Sequence, residues 1–443
     1  MPGHPEASLR KPDAVTRLGG QTGVMEVEVR KLRQEEGEAF VRSVGVPFLS
    51  SATGDPDEVA ENKDQVARIE VDRAWVASDD GRFVGNSCIY TMDLSLPASP
   101  DRECPVTGMA GVSAVGVHPT HRRKGLLSRM MAAMLDDARS RGEAVAGLIA
   151  SESIIYGRFG FGHATDMAEL TINSRESVFA VPAPHVDVQL LDRDEAAKVL
   201  PELYDRQRRT RAGEVSRNQE VWKEILADRP NRRHGGGGAF FAACDEGYVA
   251  YRAHDSNLLR GDLLSITVEE LRGTTHEVEA ALWRFVFDLD LVGQVTLKRR
   301  PVDEPIRWRL ADPRQLRVAD VEDRLYVRIL DVPAALAARG YQSEGRLVFD
   351  LLPPSAVDGT PDPVCGRWVL EAGPTGASCR AAGAAEDADI RLVVTDLGSL
   401  YLGGFSASVL AAAGRIEELK PAGVAAADSL FSTRPAPLTG TGF

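Results

Sequence analysis

Three basic residues stand directly before a glycine at Arg122-Arg123-Lys124-Gly125, and a helical pattern begins straight after it. That grouping can grip an anion. A helix N-terminus has backbone N–H groups without intrahelical partners and the positive end of the helix dipole. Gly125 carries no side chain to obstruct a ligand, and the three cations add charge. A phosphate-bearing ligand would be held there mainly by main chain. The alternative is an amphipathic helix with a basic, solvated first turn. Basic residues are unfavourable at that end of a helix unless an anion offsets them, which favours the ligand.

The elements that must position this turn lie on either side. An apolar run over Gly108–Val117, with Gly111 and Gly116 inside it, ends at His118-Pro119. Glycine inside a strand marks a bulge or a close ligand approach. After the turn, Leu127, Met130, Met131, Met134, Leu135 and Ala138 share one helical face. A second apolar run, Val145–Ala150, comes next, and Ser151-Glu152-Ser153 leads into a short turn, Ile154–Phe159, carrying Tyr156. The order is strand, basic glycine turn, helix, strand.

Arg122–Leu127 resembles the Arg/Gln-x-x-Gly-x-Gly/Ala pyrophosphate loop of the GNAT acetyltransferases, departing where Leu127 replaces the small residue. The longer string, HPTHRRKGLL followed by SESIIYGRFGFGHAT, resembles the enhanced intracellular survival (Eis) family of actinobacterial N-acetyltransferases. The resemblance implies an α/β (α+β) chain of two tandem GNAT-like domains followed by a sterol-carrier-protein-like α/β domain. It implies acetyl-CoA as cosubstrate, a cationic amine acceptor (aminoglycoside-like, or a lysine side chain) and self-association as a homohexamer. The main chain of Val115, Gly116 and Val117 would hold pantetheine, with Ser151 and Glu152 on the opposite strand. Arg122, Arg123, Lys124, Gly125, Leu126, Leu127 and Ser128 would hold the pyrophosphate. Tyr156 would be the proton donor, and the terminal carboxylate of Phe443 the proton acceptor. Phe48 and Asp93 would contact the acceptor. Gly442 departs from the acidic residue expected at the penultimate place but leaves the carboxylate available.

Acetyl transfer from a thioester to an amine needs a neutral amine, a polarised carbonyl and a proton for the departing thiolate. A tyrosine with a pKa of about 10 is a workable acid toward a thiolate of about 8.5. A terminal carboxylate of about 3.5 is a weak base for an ammonium ion. Burial would raise it, and a bridging water could relay the proton.

The chain has 443 residues, beyond one ordinary core. No apolar run approaches the ~20 residues of a membrane helix. A net charge of −13 argues against a general nucleic-acid binder and would attract cationic small molecules. Five cysteines without a C-x-x-C pair, and scattered histidines, predict reduced thiols and no metal. Residues 1–24 lack an apolar signal core, so they are expected to be a loose extension of a cytoplasmic protein, which leaves signal-free release open. The expected domains are 25–175, 186–312 and 323–443. Met167–Ile172 is expected to close the first sheet, and Leu325–Ile329 to be a strand of the third domain. The second domain repeats strand-helix-strand with Leu271-Arg272-Gly273-Thr274-Thr275 in place of the basic turn, so it is expected to be degenerate. A competing expectation is a non-catalytic acyl-CoA or lipid carrier built around the third domain.

Overall fold

The computed structural model describes residues 27–49, 56–254, 256, 261–354 and 362–443. The expected 1–24 extension lies outside the described residues, as does the start of the first expected strand.

Alternating and apolar runs form five strands before residue 150: β1 (Glu28–Lys31), β2 (Ala74–Asp79), β3 (Arg82–Ser95), β4 (Val106–Val117) and β5 (Val145–Ile149). Between β1 and β2 lie helices α1 (Gly37–Gly45) and α2 (Pro56–Arg68). Helix α3 (Leu126–Ser140) joins β4 to β5 and buries Met130, Met131, Met134, Leu135 and Ala138, as its period predicts. Leu126, rather than Leu127, completes that buried face. Next come α4 (Ser153–Tyr156), β6 (Gly162–His163) and β7 (Asp166–Asn173).

The second unit contains β8 (Gln189–Leu191), α5 (Arg193–Gln207), α6 (Gln219–Ala227), β9 (Phe240–Cys244), β10 (Gly247–His254), β11 (Leu264–Gly273), α7 (His276–Phe287), β12 (Val292–Arg300) and β13 (Leu316–Asp323). After β14 (Leu325–Ile329), the third unit has α8 (Val332–Ala338), β15 (Gly345–Leu352), β16 (Gly366–Gly373), β17 (Gly376–Ala381), β18 (Ile390–Val393), α9 (Val394–Leu400), α10 (Ala407–Ala412), β19 (Ile416–Glu418) and α11 (Gly423–Phe431).

The three sheets run β1-β2-β3-β4-β5-β14-β6, β13-β7-β12-β11-β10-β9-β8 and β17-β16-β15-β18-β19. Two expectations fail here. Met167–Ile172 does not close the first sheet, because β7 pairs with β12 and β13 in the second. Leu325–Ile329 belongs to the first sheet, because β14 pairs with β5 and β6. Thus β6–β7 and β13–β14 run antiparallel from one sheet into the other. At the crossing, Ala164 N donates to Leu325 O and Arg324 N to Thr165 O, both at 2.8 Å. The contiguous spans 25–175 and 323–443 therefore cut across the sheets.

Helix α2, absent from the sequence reading, is clamped to the second unit. Arg68 meets Glu224 at 3.2 Å, and Asp64 and Glu61 pair with Arg229 and Arg232. The C-terminal tail is likewise fixed rather than loose. Leu438 N donates to Ala212 O at 2.9 Å, Thr439 Oγ1 to Gly213 O at 2.7 Å, and Arg217 Nε to Thr441 Oγ1 at 2.9 Å.

Candidate active site

Strands β4 and β5 pair in parallel only at Met109–Gly111 and Val145–Gly147. Beyond Gly111, β4 runs on to Val117 without β5 beside it. A bulge accompanies the parting: Ala114 has φ 52, and the register against β3 shifts between Asn86 and Cys88. The Asn86 side-chain amide donates to Ala114 O. Gly116 allows a close approach from the other side, since a Cβ there would lie 2.6 Å from Pro47 Cγ.

A cavity of about 530 Å³ opens at this fork. Its lining brings together Val115, Gly116 and Val117 from β4, Arg122, Arg123 and Gly125–Ser128 from the turn, and Ser151, Glu152 and Tyr156 from beyond β5. Phe48, half exposed after α1, also lines it. Leu127 is thus a wall residue, which explains its absence from the buried face of α3.

The turn is built for an anion. Gly125 is the N-cap of α3 with φ 73, so no side chain caps the helix, and no acidic residue lies in its first turn. A Cβ on Gly125 would meet nothing within 4 Å. Arg123 is also left-handed, at φ 64. Arg122, Arg123 and Lys124 are exposed and have no ion-pair partner among the described residues. Exposed N–H groups and unspent positive charge fit a diphosphate.

The second unit shows what a closed fork looks like. Helix α7 is capped internally: the Thr275 side chain accepts from Val278 N at 3.2 Å, and Glu277 and Glu279 occupy its first turn. Strands β11 and β12 pair from Leu264 to Val268 and then part. Arg300, 3% exposed, fills the gap, donating to Leu271 O at 2.6 Å, Glu304 Oε2 at 2.7 Å and Glu279 Oε2 at 3.1 Å. Arg272 is paired with Glu214 and Glu270, so it is not free to bind phosphate.

Tyr156 ends the single turn of α4, is 5% exposed and meets Phe161 edge-on with centroids 6.3 Å apart. Burial pushes its phenol pKa up; hydrogen bonding with Ser151 works against that, and the Glu152 charge adds to it. The phenol therefore keeps its proton through neutral pH.

Three expected residues fall outside the lining: Lys124, Asp93 and Phe443. Asp93 faces the second unit, 3.7 Å from the buried Arg208. Phe443 packs, half-buried, against the large core cluster shared by the first and third units. Sequence reasoning missed His121, whose ring contacts Asp79 at 2.8 Å through Nε2 and Thr120 Oγ1 at 2.8 Å through Nδ1, fixing the approach to the basic turn. It also missed Ile155 and Arg158 in the wall. His121 and Arg158 lie inside the quoted strings, but no spacing rule singles them out. Among the described residues no group of His, Cys, Asp or Glu is placed to hold a metal ion, and no helix is long and apolar enough to cross a membrane.

A forked sheet beside an uncapped, basic helix N-terminus defines a GNAT acetyltransferase, and the comparisons agree. Residues 28–164 and 213–329 each match the acetyltransferase (GNAT) domain model, and residues 332–440 match the sterol carrier protein domain. An uncharacterized N-acetyltransferase of Streptomyces avermitilis is 34% identical over 93% of this chain and 97% of its own length. N-acetyltransferase Eis of Mycobacterium tuberculosis is 37% identical over 79% of this chain and 84% of its own. The crystal structure of Eis1 from Mycobacterium abscessus superposes with a TM-score of 0.81 at 30% identity, over 94% of this chain and all (100%) of that one. The chain belongs to the Eis family of GNAT N-acetyltransferases, and it is an acyltransferase enzyme.

Proposed function

We propose that the first unit transfers acetyl from acetyl-CoA to an amine of a cationic small molecule of the aminoglycoside type, or to a lysine side chain. The observation that carries this reading is the fork cavity, where an anion-ready turn and a buried, protonated Tyr156 share one wall. GNAT acetyltransferases use acetyl-CoA, and its thioester supplies the acetyl group. The backbone of Gly125–Ser128, with Arg122 and Arg123, would grip the diphosphate, and Lys124 would add charge from outside. Val115–Val117 and Ser151–Glu152 would flank pantetheine. Tyr156 would give its proton to the leaving thiolate. The Phe443 carboxylate would draw a proton from the amine, directly or through water, with Phe48 and Asp93 as acceptor contacts.

The net charge of −13 supports a cationic acceptor. We also propose a cytoplasmic homohexamer. The test is a thiol-release assay with acetyl-CoA and a panel of aminoglycosides, polyamines and lysine peptides. Thiol release with at least one amine is expected. Tight binding of acetyl-CoA with no release for any amine would instead favour an acyl-CoA carrier, the reading that the sterol carrier match at 332–440 supports.

A further inference from the structure

Helix α9 of the third unit stands on the turn that carries Tyr156. Thr395 Oγ1 donates to Gly157 O at 3.1 Å. Backbone meets backbone around that bond. A Cβ on Gly162 would overlap Thr395 O and lie 2.8 Å from Ser399 Oγ. A Cβ on Gly398 would overlap Val327 O of β14. From β14 the Arg328 guanidinium covers Gly160, whose φ of 80 turns the chain. Phe161 N closes the loop by donating to Tyr156 O at 3.3 Å.

The tyrosine needs this support. Helix α4 is one turn long, and an isolated turn is not stable alone. Gly157 has no side chain to pack, and a Cβ there would find nothing within 4 Å. Its carbonyl accepts locally from Gly160 N at 3.0 Å, and the Thr395 hydroxyl is the bond that ties it to the third unit. A proton donor must come within about 2.6–3.2 Å of its acceptor, and a 1 Å misplacement can cost about 10²-fold in rate.

We propose that Thr395 is a positioning residue for acetyl transfer: its hydroxyl fixes the end of α4 and so aims the Tyr156 hydroxyl into the fork. The third unit then serves acetyl transfer through α9 as well as through the proposed terminal carboxylate of Phe443. This rests on the reading of Tyr156 as proton donor.

The test compares Thr395→Val, Thr395→Ser and Tyr156→Phe in the full chain, with acetyl-CoA and the fastest amine of the panel. Thr395→Val keeps the shape and loses the donor. It should lower kcat roughly three- to tenfold, leave the KM for acetyl-CoA and the Tm unchanged, and move the basic limb of the kcat profile to lower pH as water reaches the phenol. Thr395→Ser should restore kcat. Full kcat in Thr395→Val beside an inactive Tyr156→Phe would overturn the proposal alone. A joint loss of kcat, acetyl-CoA affinity and Tm would also overturn it, as a general structural effect. Full turnover by Tyr156→Phe would remove the donor assignment and the proposal together.

Discussion

The Arg300 guanidinium donates to the carbonyl of Leu271 at 2.6 Å, bridging β11 and β12 of the second unit where the equivalent strands of the first unit, β4 and β5, leave an open gap. Both forks come from the same strand-helix-strand order, so the difference lies in what fills them. In the second, Arg300 is paired with Glu304 and Glu279, all nearly buried. Removing one partner of a buried ion pair typically costs about 3–5 kcal/mol, because the other charges remain desolvated. Arg300→Ala should therefore lower the urea midpoint markedly. It should not create a second acetyl-CoA site, since Thr275 still caps α7 and acidic residues still fill its first turn. Urea titration and binding stoichiometry by calorimetry check both halves, and a stoichiometry of two per chain would contradict the account.

Tyr156 is the next case. The donor works while protonated, and burial raises its pKa above the usual tyrosine value. Its contribution is thus complete at neutral pH and lost only as pH climbs through that raised value. The basic limb of kcat assigned to Tyr156 should fall above the ordinary tyrosine range. Tyr156→Phe should abolish that limb, lower kcat by about 10²-fold or more, and bind acetyl-CoA as the parent does. A basic limb that survives in the variant would assign it to another group.

How far these features were legible depends on their kind. The fork was readable because its parts are local: a glycine-bearing apolar run, cations before Gly125, a helical period, a second run. Partners in a sheet are not local. Alternation in Met167–Ile172 says that a strand exists and has two faces, but not which sheet takes it. Leu325–Ile329 did carry a usable signal. Leu325, Tyr326, Val327 and Ile329 make four of its five residues apolar, which marks a strand covered on both faces; Arg328 hides this, because it is buried only through its pairing with Asp362. Helix α2 was missed because its sequence is mostly charged or polar. Ion pairs across to α6 and its following loop hold it, and these have no period to detect. Arg300 was invisible for the same reason: one arginine ending a strand looks like any other until its carboxylates converge on it.

The C-terminal tail yields a separate expectation. Thr441 is bound by Tyr204 at 2.8 Å and Arg217 at 2.9 Å, and Arg217 pairs with Glu270 at 2.7 Å. Arg217 and Arg272 hold the Glu270 carboxyl far below the usual range despite its burial. A depressed pKa stabilises the native state above the unfolded value of 4.5, and that contribution is lost as pH falls toward the folded value. The anchor is therefore complete at neutral pH. Deleting Phe443 alone should leave the Thr441 anchor and acetyl-CoA affinity intact, lower the Tm only modestly through the lost packing of its half-buried ring, and cut turnover by about 10²-fold. Full activity of that truncated chain would dispose of the terminal carboxylate as base.

Gly125 tests the foundation of the site. Its φ of 73 is left-handed, where an L side chain costs about 1–2 kcal/mol, although a Cβ there would meet no atom within 4 Å. Gly125→Ala should therefore destabilise only modestly, by the backbone term. Its larger effect should be on the ligand, because relaxing the turn moves the amides of Leu126–Ser128 away from the diphosphate. Acetyl-CoA affinity should fall by about tenfold or more, with kcat at saturation nearly unchanged. Arg122→Ala with Arg123→Ala should weaken binding in a different way. It should remove charge rather than geometry, so its effect should shrink at high salt as the Debye length falls to about 3 Å at 1 M. The Gly125→Ala defect should persist there. Isothermal titration with acetyl-CoA at low and high salt separates the two, and equal salt dependence in both variants would mean that the grip is not main-chain in origin.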